Sequence, residues 1–217
     1  MIEQTLDIPA VVVEFLEVAV HVLLHSRKLY PDGIFRLKKK YGVPVHVSVH
    51  PELNKYITNS LAAIKHLLIA EDLKQVDICF FNDKGLLAER FVFYLKNISP
   101  FSTDSQVSFL PHLKESFRAF CLKLSVNSNF MKSLPKGSTF KIFIHTSEAS
   151  SLAMNEDSAF QQFPWIEAEK RDVTIENPKI FPVRNIETDI MNIHIYSEEN
   201  NASNSDVTMP FEISSDS

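Results

Sequence analysis

His21 and His25 stand four residues apart inside an apolar run, and His46 and His50 repeat that spacing further along. Such pairs could hold a metal if a third ligand joined them. A zinc-protease helix also carries Glu directly after its first His, and position 22 is Val. The four histidines read as packing or surface residues. A metal-dependent enzyme is the alternative from another functional class, and stoichiometric zinc in a metal analysis would establish it. Other catalytic patterns are missing. There is no G-x-S-x-G nucleophile turn. Cys121 falls inside a helical pattern with no cation beside it. Gly33, Gly42, Gly85 and Gly137 stand too far apart to write a P-loop or a dinucleotide fingerprint. Cys79 and Cys121 lie in apolar runs and read as buried thiols in a reducing compartment.

Two constellations suit binding better than catalysis. Arg27, Lys28, Arg36, Lys38, Lys39 and Lys40 cluster within fourteen residues. This is a solvated hairpin tip, or a contact for an acidic partner or a DNA backbone. The net charge of −5 argues against broad phosphate binding. Tyr56 and the single Trp, Trp165, each read alone as a core aromatic. Together they suit a groove for an extended, Pro-containing peptide, because flat rings pack well on proline.

The elements that must position these groups follow from periodicity. A first helix spans roughly Pro9 to Lys28 and is apolar around most of its circumference, as a helix wrapped by other elements must be. Its apolar run Val11–Leu24 is too short to span a bilayer and carries Glu14, Glu17 and His21. Tyr30-Pro31-Asp32-Gly33 signals a turn. A ribbon follows, Ile34–Leu37 and Val43–Val49, and Pro44 makes its second strand an edge. Pro51 opens a second helix to about Ala70, with Leu53, Ile57, Leu61, Ile64 and Leu68 as its stripe. A hairpin spans Val76–Phe81 and Arg90–Leu95. A third helix covers about Gln106–Val126, and Thr139–His145 is a strand. Helices on one face of a largely antiparallel sheet make an α+β layer. Thr146–Gln162 is polar and reads as a long loop of the functional or mobile kind. Asp172–Ile175 and Asp189–Tyr196 read as β-like pieces separated by Pro178 and Pro182. From Ser197 the chain has five acidic residues and no Lys or Arg, the composition of a disordered tail.

The phrases FLEVAVH, YP-x-GIF, KKY-x-VPV, HPELN-x-YI, RFVF, RAF-x-LK-x-SV, HT-x-EA and FPWI carry a resemblance over about Val12 to Glu199. The chain resembles the HORMA-domain regulatory subunits of translesion DNA polymerase zeta. That resemblance implies a HORMA domain over 1–199, with three helices on the sheet and 146–199 as a safety belt that wraps an extended peptide. The acidic tail is then 200–217. It implies a non-catalytic adaptor, without cofactors, in translesion DNA synthesis. Tyr30, Tyr56 and Trp165 fall on positions that grip a Pro-containing peptide of the polymerase catalytic subunit. Ile180, His194 and Tyr196 fall on positions that contact the C-terminal domain of the Rev-type scaffold polymerase. Lys28, Leu37, Arg118 and Asn129 fall on positions of family self-association. Lys28 replaces a family acid near Arg118, so the expectation is a weak or absent homodimer. Other belt-binding repair or cell-cycle proteins and a HORMA-remodelling ATPase are further implied partners, in the nucleus with a cytoplasmic pool. A spindle-checkpoint protein of the mitotic-arrest-deficient type is the runner-up within the fold.

Overall fold

The structure is a computed structural model, and it describes residues 6–98, 101–102, 110–127, 133–157, 160 and 163–200. Two helices start where the sequence supplies caps. Asp7 accepts the Ala10 N–H at 2.9 Å, with Pro9 in the first turn, and opens α1 (Ile8–Ser26). His50 does the same for α2 (Pro51–Ile69), its Nδ1 accepting the Leu53 N–H at 3.3 Å. Helix α1 is long and apolar enough to cross a membrane by composition. Here it is the central core element, with Val12, Phe15, Leu16, Leu23 and Leu24 fully buried. Phe15 stacks on Phe117 of α3 (Leu110–Asn127) at 4.0 Å and meets Phe120 and Phe93 edge-on. Truncating such a ring costs about 3–5 kcal/mol.

A short strand β1 (Leu6–Asp7) pairs with β6 (Phe101–Ser102). The ribbon is β2 (Phe35–Lys40) and β3 (Val43–Ser48). Tyr41 and Gly42 both take positive φ between them, as a two-residue hairpin turn requires. The main sheet has the order β7-β4-β5-β9-β8 and is antiparallel throughout, comprising β4 (Gln75–Phe81), β5 (Leu87–Lys96), β7 (Thr139–His145), β8 (Lys179–Glu187) and β9 (Asn192–Glu199). Val76, Ile78, Phe80, Phe91, Phe93, Ile193 and Ile195 form its inner face, in the same core cluster as the three long helices. Phe81, Cys79, Phe143 and Leu87 on the outer face gather a second, smaller cluster with Ile175.

The α+β layer and the order of its elements are as expected, and four local readings need correction. The polar tail does not begin at Ser197, because Ser197–Glu199 complete β9 against β5. The supposed loop 146–162 contains a helix, α4 (Glu148–Glu156). Ser147 caps it by accepting the Ser150 N–H at 3.2 Å, and Met154 is its single buried anchor. A helix with one apolar anchor leaves little periodic signal. The supposed strand at Asp172–Ile175 begins in a short helical turn, α5 (Lys170–Val173). The stretch holding Pro182 is itself strand β8. Proline is tolerated because β8 is an edge and its register shifts between Pro182 and Arg184. Positions 106–109 of the expected third helix lie outside the described residues, as do Asn129 and the tail 201–217.

Candidate functional site

Strand β7 lies at one edge of the sheet, paired to β4 on one side only. After His145 the chain does not return to that edge as a strand. It runs through α4 and then past α2, where Phe160 meets His66 edge-on at 5.3 Å and Phe163 meets Tyr56 at 5.7 Å. It then rounds the β7 edge, crosses the outer face of the sheet at Asp172, Val173 and Ile175, and enters β8 on the far side. Between this strap and the β7 edge lies a groove of about 1020 Å³. Its walls are Tyr56, the edge residues Lys141–Ser147, one side of α4, and Phe163–Ala168.

The strap is pinned at both ends. At its start, Asp72 accepts from the hydroxyls of Thr146 and Ser147 and from the Ser147 N–H. Those hydrogen bonds, led by the Ser147 hydroxyl, pull the Asp72 carboxyl down to about 2. On the outer face, Arg90 donates to the Val173 carbonyl, and Lys141 sits 3.9 Å from Asp172.

The aromatic residues form one connected row. Tyr30 meets Phe140 edge-on at 6.3 Å, Phe140 meets Tyr56 at 5.5 Å, Tyr56 meets Phe163 at 5.7 Å, and Phe163 meets Trp165 at 5.8 Å. The structure thus brings Tyr30, Tyr56 and Trp165 to one surface. It adds Phe140 and Phe163, which sequence reading passed over; Phe163 stood in view inside the FPWI phrase. A second cavity of about 560 Å³, lined by Tyr30, Pro31, Ile34, Leu53, Tyr56 and Phe140, joins the groove at Tyr56.

Two polar groups face this surface. The Tyr56 hydroxyl accepts the Ile142 N–H at 3.1 Å, at the free edge of β7. Burial pushes the Tyr56 phenol up, so it stays a neutral hydroxyl that can accept and donate at once. The Trp165 Nε1–H is buried and meets no acceptor among the described residues. A buried unmet donor costs roughly 1–3 kcal/mol.

The other candidate residues are placed as follows. Ile180 is exposed on β8, opposite Glu198. His194 and Tyr196 alternate along β9 with Glu198, so the three project from the outer face of the C-terminal ribbon together with Ile180. Burial raises the Tyr196 phenol too. Leu37 is exposed on β2, Lys28 follows α1 at positive φ, and Arg118 pairs with Glu115 one turn earlier on its own helix. Arg27 departs from the expected basic cluster. It is buried, and its Nε donates to Glu89 at 2.7 Å.

The histidines and cysteines that the sequence offered for metal or nucleophile chemistry are placed as follows. His21 is buried, its pKa lowered to about 4 by desolvation and then by Lys38, and its Nδ1 accepts the Ser48 N–H at 3.3 Å. The His25 and His46 rings lie stacked at 3.6 Å, a contact that turns their faces, not their nitrogens, toward each other. Among the described residues no three His, Cys, Asp or Glu side chains are placed to hold a metal. Burial pushes the Cys121 thiol up to about 11 and the Cys79 thiol well above its usual range, so neither is a ready nucleophile.

No family model matches the chain. Solved structures do. A chain of the mitotic checkpoint complex superposes with a TM-score of 0.74 over 88% of this chain and 98% of its own, at 19% identity. Caenorhabditis elegans HTP-2, solved bound to the HIM-3 closure motif, gives 0.67 over 87% of this chain and 88% of its own, at 9% identity. These likenesses establish the class: the fold is a HORMA domain. Sequence relatives narrow it. Human mitotic spindle assembly checkpoint protein MAD2B is 40% identical over 189 residues, 87% of this chain and 89% of the relative. Drosophila melanogaster DNA polymerase zeta subunit 2 is 31% identical over 169 residues, covering 75% and 81%. The chain belongs to the family of MAD2B and DNA polymerase zeta subunit 2.

Proposed function

We propose that this protein is a non-catalytic adaptor subunit of DNA polymerase zeta in translesion DNA synthesis. Its segment 146–199 acts as a safety belt around a Pro-containing peptide of the polymerase catalytic subunit, within a domain spanning 1–199. The observation that carries this reading is the unpaired β7 edge facing a groove bounded by the strap and the aromatic row. An extended peptide can pair with the outward backbone groups of β7, and its prolines can pack on Tyr30, Tyr56 and Trp165. The Tyr56 hydroxyl, which accepts from Ile142, has its own proton to donate to a peptide carbonyl. The outer β8–β9 face with Ile180, His194 and Tyr196 then contacts the C-terminal domain of the Rev-type scaffold polymerase, on the opposite edge of the sheet. The same groove serves other belt-binding repair and cell-cycle peptides, and a HORMA-remodelling ATPase reopens it, in the nucleus with a cytoplasmic pool. Homodimers are weak or absent.

Pull-down of Pro-containing peptides from the catalytic subunit tests the groove. Capture is expected with the natural chain and lost with Tyr56→Ala and with Trp165→Ala. Capture that survives both substitutions refutes it. The checkpoint-type reading is supported by the relatives named for the spindle checkpoint. It predicts that the polymerase peptides are not captured at all.

A further inference from the structure

Arg90 stands on β5, on the outer face of the sheet, at the meeting point of four chain segments. Its Nε donates to Glu198 on β9 at 2.7 Å. Its Nη1 lies 3.5 Å from Asp77 on β4 and donates to the Val173 carbonyl in the strap. Asp77 is fully buried, and its Oδ2 also lies 2.9 Å from Nε2 of His145, which lines the groove at the end of β7. One guanidinium therefore ties the strap and the C-terminal ribbon to the two central strands.

Resting on the belt reading above, we propose that Arg90 is the clamp that holds the belt shut. Its hydrogen bonds and ion pairs described above all fall outside the lining of the peptide groove; it is a positioning residue that acts on the segment a captured peptide must displace in order to leave. Two observations single it out. First, its contacts to Val173 and Glu198 lie on parts of the chain more than twenty residues apart, both downstream of the groove, so lifting the strap and detaching the ribbon each break a bond to the same side chain. Second, the counter-charges are buried, so the hydrogen bonds are charge-assisted and little screened. The Lys141–Asp172 pair is longer and more exposed, at 3.9 Å, and contributes little. Ile175 in the outer cluster supplies the apolar half of the anchor.

Hydrogen exchange by mass spectrometry on the full chain, without any peptide, tests the clamp. Arg90→Gln is expected to speed exchange of the strap amides over 163–176 about tenfold, while α1 and the β4–β5 hairpin keep their protection. Asp172→Asn should change the same amides less than twofold. Arg90→Gln leaves the buried Glu198 carboxylate without its guanidinium, while Asp77 keeps Gln75 and His145, so the double variant Arg90→Gln/Glu198→Gln separates clamping from a general loss of stability. The clamp predicts that the double variant regains global stability while its strap stays fast. Strap protection restored in the double variant overturns the proposal, and so does equal loosening by Asp172→Asn. A second arm follows release of the labelled Pro-containing segment of the polymerase zeta catalytic subunit, flanked at both ends by folded domains too wide to thread the groove. Arg90→Gln should shorten its residence about tenfold, and unchanged residence overturns the clamp. If the natural chain never holds that peptide, the functional reading fails, and the exchange measurement still decides the role of Arg90.

Discussion

Replacing Tyr56 by Phe removes one oxygen atom and separates two roles that Tyr56→Ala would blur. The hydroxyl accepts the Ile142 N–H at 3.1 Å, and Ile142 is only 5% exposed. A typical intramolecular hydrogen bond is worth about 0.5–1.5 kcal/mol, rising to about 1–3 kcal/mol if the partner is left dry. The groove is open to water on one side, so the expected loss for Tyr56→Phe is about 1 kcal/mol. The ring contacts to Phe140 and Phe163 are untouched by that change. Tyr56→Ala also deletes the ring; ring deletion in a fully packed core costs about 3–5 kcal/mol, and the partly buried Tyr56 should lose less than that but more than Tyr56→Phe. Urea unfolding at constant slope reads both numbers. Amide exchange should show the Ile142 N–H opening faster in the Phe variant. Peptide capture should persist in Tyr56→Phe, because the flat ring still packs on proline, and fail in Tyr56→Ala. Natural-like stability together with an unchanged Ile142 amide in Tyr56→Phe would show that the hydroxyl does not cap the strand edge. Loss of capture in Tyr56→Phe equal to that in Tyr56→Ala would refute the division of roles.

Burial pushes the Glu89 carboxyl up from 4.5 to about 7, against the pull of Arg27. Stability linked to its neutral form is therefore fully present below pH 4.5 and lost as pH rises through about 7. Glu89→Gln should flatten the pH dependence of unfolding in that window, and an unaltered profile would contradict it. Asp72 is shifted the other way, from 3.8 to about 2, so its contribution is present above pH 3.8 and lost as pH falls through about 2. Asp72→Asn should remove that acid dependence and speed exchange at the start of α4, and unchanged protection there would show that the strap is not pinned at this point. Sedimentation velocity over a range of concentrations should show a monomer, and a tight dimer abolished by Arg118→Ala would overturn the expectation drawn from Lys28.

The central helices and β7 were legible because their signals are local. Asp7, Pro9 and Pro51 mark helix starts, and residues 139–145 form one uninterrupted strand between a Pro-Lys-Gly turn and a polar stretch. What stayed hidden depends on distant partners. Arg27 looks like one more surface cation until β5 delivers Glu89 sixty-two residues later. Helix α4 is polar because most of its surface faces water, so its burial rests on Met154 alone. Strand β8 was obscured by Pro182, which an edge strand tolerates at a register shift. At the site, Tyr56 and Trp165 were found from their ring types and from resemblance. Their link through Phe163, and the hydroxyl that caps Ile142, follow from three-dimensional placement that no spacing encodes.

The path of the strap also has a topological consequence. Backbone bonds join β7 to β8 through the strap, and hydrogen-bonded ladders join β8 back to β7 through β9, β5 and β4. The result is a ring around the groove, part covalent and part hydrogen-bonded. A short free peptide can thread such a ring end first. A segment in the middle of a long polypeptide, with folded domains on both sides, cannot, because its stoppers are wider than the hole. It enters or leaves only when the ring is cut at its non-covalent seam, and the seam that frees the strap is the β5–β9 ladder, Glu89–Lys96 against Asn192–Glu199. Linkage to such a partner is then mechanical as well as energetic, like an axle through a wheel. Its lifetime is set by how often that ladder unzips, and additional contacts inside the groove would do little to lengthen it.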